Sequence, residues 1–152
     1  MLMHVKWESS MKNSQNEILL IKVKSPSSVN FFKEHSEIIS KYGYVDFAKF
    51  GRSTLKLEKI SPGDIILIKE SISNGGMLFE AVFECIVYNG EYYPAYYEEF
   101  TKLEKTWLRL SALKLIDNPS YLDLFETRSG GSVANAIKSI SPNFYVIKKS
   151  GD

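Results

Sequence analysis

The sequence predicts an α+β fold, a bent and mainly antiparallel sheet or small β-barrel flanked by helices. Three observations carry that expectation. One stretch, "SPSSVNFFKEHSEIISKYG", has helix-start and helix-stop residues around a helical apolar stripe. Several short apolar or alternating runs are separated by Pro-Gly and Asn-Gly turn chemistry. Aromatic residues, with nine Tyr and nine Phe, make up 13% of the chain and suit strands.

The elements follow in order. Residues 1–16 are polar and without period, a flexible leader, and residues 17–149 form a single domain. "NEILLIKVK" is a compact apolar run of buried-strand length. Ser25 is placed to cap the helix, with Pro26 in its first turn and Gly43 closing it; Val29, Phe32, Ser36 and Ile39 line one face, flanked by Phe31 and Ile38, and that face packs on the sheet. "ISPGDIILIKE" is a turn feeding a strand buried on both faces, and "SISNGGM" is a hairpin loop turning at Asn-Gly. In "LFEAVFECIVY", Phe79, Ala81, Phe83, Cys85 and Val87 share one face, with Glu80 and Glu84 on the other. "PAYYEEFTKLEK" is a short helix or ordered loop. "TWLRLSALKLI" is a strand with Leu108, Leu110, Ala112 and Ile116 on one side and Trp107, Arg109, Ser111 and Leu113 on the other. Two short helices follow, one begun by Asn118-Pro119 and one after Gly130-Gly131. "FYVIKK" is the last strand.

Composition bounds the function. The 152 residues are 44% hydrophobic and 24% charged, the mix of a soluble globular domain. No apolar run reaches the ~20 residues that cross a bilayer, and no signal-peptide pattern opens the chain. A single Cys85 forms no internal disulfide; together these predict a cytoplasmic protein without membrane contact. Nineteen basic against eighteen acidic residues give a net charge of +1, too little for binding driven by phosphate neutralisation alone.

Catalytic chemistry is largely excluded by absence. Only His4, His35 and Cys85 offer soft ligands, too few for zinc. "SISNGGM" and "TRSGGS" lack the spacing of a phosphate-binding loop, and no Gly-x-Ser-x-Gly elbow is present. Glu98 and Glu99 are adjacent and so face apart, while Glu80 and Glu84 read as solvated strand positions. The expectation is a non-catalytic binder with no cofactor and no metal. Its most equipped segment is "YGYVDFAKFGRST", residues 42–54, where rings, a carboxylate and basic groups converge.

That segment, continued through "LKLEKISPGDIILIK", resembles the EVE and YTH domains of the PUA-like superfamily, in which a helix ends at Tyr-Gly, an aromatic-bearing segment crosses a pocket, and a Pro-Gly-Asp turn launches the next strand. "AVFECIV" is similar to the strand that follows there, "TWLRLSALKLI" to the later strand with an aromatic-x-Arg signature, and "LFETRSGGSVANAI…FYVIKK" to the close of EVE-like modules attached to restriction NTPases. The resemblance spans roughly residues 17–148.

The resemblance implies a reader that binds a flipped, methylated base in an aromatic cage, the DNA-specificity module of a McrBC-type modification-dependent restriction system. Its partners would be modified double-stranded DNA and a fused or associated NTPase or nuclease. Stacking returns about 1–3 kcal/mol per ring against an unstacking cost of a few kcal/mol. Carried over by position, Phe47 stands where these families place a cage Trp, Asp46 where a group bonds the base edge, and Tyr44, Phe50 and Trp107 as further rings. Lys49, Arg52, Ser53, Arg109 and Arg128 are the phosphate-binding candidates, and Tyr96 and Tyr97 the rim. Each residue also has a plainer role open to it: Phe47, Phe50 and Trp107 as packing, Asp46 as a turn cap, Arg109 as a partner of Glu80 or Glu84, and Lys49 and Arg52 as a solvated loop. Three other functions stand beside the DNA reader: a protein-interaction or assembly domain using the Tyr92–Tyr97 surface, an RNA-binding reader of N6-methyladenine, and a small-molecule sensor.

Overall fold

The computed structural model describes residues 17–26, 28–49, 57, 59–72, 75–100, 106–139 and 143–149. Within them run β1 (Glu17–Lys24), α1 (Phe31–Tyr42), β2 (Val45–Lys49), β3 (Ile65–Ile72), β4 (Gly75–Val87), β5 (Thr106–Ile116), β6 (Phe125–Thr127), α2 (Val133–Ser139) and β7 (Asn143–Lys148). Two 3-10 turns, Ala95–Phe100 and Tyr121–Leu124, connect them.

All seven described strands join one sheet in the order β2-β5-β4-β3-β1-β7-β6. The β1–β3 pair is parallel and the other pairs are antiparallel. The sheet is open, with β2 and β6 at its edges. The molecule is thus a mixed α/β fold built on a mainly antiparallel sheet, and of the two expected forms it takes the open sheet rather than the closed barrel.

Sequence dictates the central strands directly. Ile18–Ile21 of β1 and Ile65–Ile68 of β3 are buried without interruption, because elements cover both faces of the sheet there. On one face Leu19, Ile66, Ile68, Phe79 and Leu108 pack with Phe31 of α1. On the other, Leu20, Leu67, Phe125 and Val146 pack with Val133 of α2. Each large side chain so buried stabilises the fold by roughly 1.5–3 kcal/mol. Before β3, Ser61–Asp64 closes a tight turn in which the Asp64 N–H donates to the Ser61 carbonyl at 2.9 Å. Gly63 sits there at φ 94°, a conformation that a side chain would strain.

Four local expectations are corrected. The cap of α1 is Asn30, whose Oδ1 accepts from the Lys33 N–H at 3.1 Å, and not Ser25. The Ser25 side chain is instead hydrogen-bonded with Glu70 and Tyr96, and the helix starts at Phe31. Phe31, Phe32, Ile38 and Ile39 pack on the core as expected, joined by the buried His35. Gly43 closes α1 as expected, at φ 90° with its N–H donating to Ile39. The β3–β4 ladder runs to the Ile72–Gly75 pair, so Gly75 belongs to a strand; residues 73 and 74 lie outside the described residues.

The other corrections concern faces. The β4–β5 register skips Ser111 on one strand and Glu84 on the other. Past these bulges Cys85 and Val87 pair with Arg109 and Trp107 and leave the Phe79–Phe83 face, while Leu113 joins Leu108 and Leu110, and Ala112 and Ile116 leave them. The two skipped residues bond each other, the Ser111 hydroxyl donating to Glu84 Oε2 at 2.5 Å. Bulges of this kind bend a sheet.

Candidate functional site

The chemistry-bearing residues gather around the β2 edge. An edge strand presents unpaired N–H groups, and residues 91–98 fold over them. The Asp46 N–H donates to the Tyr92 carbonyl at 2.8 Å, and the Ala48 N–H reaches the Tyr97 hydroxyl at 3.5 Å. Tyr97 in turn meets His35 Nε2 at 2.7 Å, while His35 Nδ1 lies 2.8 Å from the Phe31 carbonyl. A carbonyl only accepts, so Nδ1 carries the proton and Nε2 accepts from Tyr97. Full burial disfavours the imidazolium and lowers the His35 pKa to about 4.

Tyr44, Asp46 and Arg109 come together beside this edge. Arg109 sits opposite Asp46 in the β2–β5 ladder and grips it at two points, Nε to Oδ1 at 2.8 Å and Nη2 to Oδ2 at 3.0 Å. The fully buried Asp46 also accepts from the Glu91 N–H at 2.7 Å. The Arg109 guanidinium lies 3.9 Å over the Tyr44 ring, and its Nη2 is 3.5 Å from Glu91 Oε1. The Tyr44 hydroxyl donates to that same oxygen at 2.5 Å; this bond, more than burial, pushes its pKa up to about 12. Hydrogen bonding to Asp46 raises the Arg109 pKa above its ordinary value. Glu80 and Glu84 do not partner Arg109: Glu80 accepts from Tyr121 and Glu84 from Ser111.

The remaining site candidates are dispersed. Phe47 points to the other side of β2, 1% exposed, its ring 6.2 Å from Phe31 and 6.1 Å from His35. Trp107, 6% exposed, lies under Tyr93 and Tyr97 at 4.9 and 5.9 Å. Gly90 presses on the same indole so closely that a Cβ there would meet ring carbons at 2.5 Å. Arg128 bonds Glu17 at 2.6 Å and covers the Tyr145 ring, away from β2. Lys49 ends β2 opposite Thr106. Phe50, Arg52 and Ser53 lie outside the described residues.

Part of the Tyr92–Tyr97 surface is joined to α1 on this side. A cleft of about 490 Å³ opens between the last turns of α1 and residues 91–98. Its aromatic part is Tyr42 stacked on Tyr92 at 3.8 Å and 5°, with Tyr93 beside them. Its charged part is Glu37, Glu91 and Glu98 against Lys41. The Tyr93 hydroxyl donates to Glu98 Oε2 at 3.0 Å, which raises the Tyr93 pKa. The tyrosine density of "YNGEYYPAYYEEF" was the available signal, but the contribution of α1 was not in it. Tyr97, part of that run, is a core residue.

Among the described residues no group of three or more His, Cys, Asp or Glu is placed to hold a metal ion, and no helix is long and apolar enough to cross a membrane. No protein-family model, curated protein or solved structure matches this chain.

Proposed function

We propose that the protein is a non-catalytic interaction module that docks a partner protein in the cleft between α1 and residues 91–98. The observation that carries this reading is the contrast between buried and accessible rings. Phe47 and Trp107 are spent on packing, and Asp46 and Arg109 on each other, whereas Tyr42, Tyr92 and Tyr93 line an open cleft. Tyrosine is favoured in protein interfaces because its ring is apolar and its hydroxyl is not. Three carboxylates on the rim repel a phosphate backbone.

A benzophenone amino acid placed at position 93, with position 88 as control, tests this in cells. Tyr88 is 98% exposed and outside the cleft. Protein adducts at 93 that disappear in Tyr42→Ala, and are absent at 88, are the expected result. Equal adducts at both positions, or none at 93, overturn it.

A second reading follows from the resemblance to EVE and YTH domains, a PUA-like reader of a modified base in DNA or RNA, attached to or acting with a restriction NTPase. What supports it is the α1 end at Tyr42-Gly43 leading into β2, and the Pro62-Gly63-Asp64 turn leading into β3 on a bulged sheet. It requires Phe47 to emerge from beneath α1, or Trp107 from beneath Tyr93. Tryptophan and tyrosine fluorescence would be titrated with unmodified, N6-methyladenine and 5-methylcytosine duplexes, and with single-stranded and RNA forms. Preference for one modified duplex supports this reading; equal or absent binding excludes it.

A further inference from the structure

We propose that the cleft takes the side chain of an arginine carried by the partner protein. This rests on the protein-docking reading above and names the chemistry that docking would use.

Two features of the cleft select a cation, and a flat one. Among the described residues its rim carries Glu37, Glu91 and Glu98 beside the ammonium of Lys41, so an incoming positive charge gains and a negative one loses. Glu37 already pairs with Lys33 at 3.0 Å, but both side chains are more than 60% exposed, and such pairs exchange at little cost. Its walls are Ile38 and the rings of Tyr42, Tyr92 and Tyr93, and ring faces attract cations. A guanidinium can stack on a ring while its edge forks onto a carboxylate, whereas an ammonium is a point charge without a plane.

The molecule already shows this mode of recognition a few residues away. Arg109 lies flat over Tyr44 at 3.9 Å, forks onto Asp46, and reaches Glu91 at 3.5 Å. Glu91 is shared: it belongs to the Arg109 network and to the cleft. Tyr92 leans toward Tyr44 at 5.6 Å and stacks on Tyr42, so the ring series continues from the filled arginine site into the open one. Lys41 supports the assignment from the opposite direction. Its ammonium lies 5.2 Å over the Tyr42 ring, so one cation of this chain already uses that face. An arriving guanidinium competes with it.

The test uses the full chain and three blocked tripeptides, N-acetyl-Gly-Arg-Gly-amide and its lysine and norleucine counterparts, followed by backbone amide NMR shifts. The arginine peptide is expected to move the amides of residues 41–42 and 91–93 saturably, with lysine about tenfold weaker and norleucine silent. Glu98→Gln and Tyr92→Ala should each weaken the arginine peptide several-fold. Lys41→Gln should tighten it about threefold by removing the competing cation. The rest of the amide spectrum reports whether each variant is folded. Equal shifts from arginine and lysine, or a Lys41→Gln variant that binds more weakly, overturn the assignment. Norleucine binding at the same amides also overturns it but leaves protein docking standing. If no peptide moves the cleft, the arginine assignment falls; if position 93 also gives no adducts in cells, the docking reading falls with it.

Discussion

Asp46 and Arg109 face each other across the β2–β5 ladder and close a two-point ion pair in which the carboxylate is fully buried and the guanidinium only partly so. That asymmetry decides what each substitution does. Arg109→Ala leaves a buried charge supported by one backbone N–H and should cost about 3–5 kcal/mol in urea unfolding. Replacing both residues together, Asp46→Leu with Arg109→Met, should recover most of that loss. Equal costs for the single and double variants would show that the pair contributes through packing alone.

His35 makes stability depend on pH in a defined direction. Its pKa is about 4 in the fold against about 6.5 in the unfolded chain. Between those values the unfolded chain binds the extra proton, so the stability from the neutral ring is complete above pH 6.5 and declines as pH falls toward 4. The loss is about 3 kcal/mol at pH 4. Urea unfolding of the wild type and of His35→Gln at pH 7 and pH 4.5 should show a gap that narrows on acidification.

Glu70 has the opposite sign. It is 2% exposed, its Oε2 accepts no hydrogen bond, and burial raises its pKa. The folded chain therefore holds the proton longer than the unfolded one, and the stability it contributes is complete in acid and lost as pH rises past the ordinary carboxylate range. Glu70→Gln, which cannot ionise, should gain about 1 kcal/mol at pH 7 and nothing at pH 4. Thermal melts at both pH values check this.

Gly90 tests the packing of Trp107. Alanine at 90 places a methyl group within 2.5 Å of the indole carbons, inside a contact that has no room for it. The expected cost is about 1–3 kcal/mol, with a red shift in tryptophan emission as the ring is displaced toward water. An unchanged spectrum and melting temperature would mean that residues 88–92 move aside freely.

The sequence reveals the strands through uninterrupted or alternating apolar runs, and β1, β3 and β7 fall where those runs lie. It hides the bulges at Ser111 and Glu84, because the alternation continues through them in the letters while the chain slips a residue in space. β6, only three residues long, has no period to read. Ser25 carries a good cap signal but is drawn away by a buried carboxylate distant in sequence. The site divides in the same manner. Asp46, Tyr44 and Arg109 are legible as a polar cluster, but that they neutralise one another depends on strand register. Phe47 and Trp107 are legible as rings, but which face of the sheet each occupies, and what lies on it, comes from α1 and residues 90–97.

The parallel pairing of β1 with β3, and its antiparallel pairing with β7, place the first strand in the interior of the sheet. Its hydrogen bonds on one side await a strand more than a hundred residues later in the chain. During synthesis at ~5–20 residues per second the emerging chain therefore carries Leu19, Leu20 and Ile21 for many seconds beside an unfilled ladder. Completion of the sheet is tied to the arrival of Asn143–Lys148, so a ribosome stalled before that point would present a sticky apolar strand to whatever chaperone is nearest.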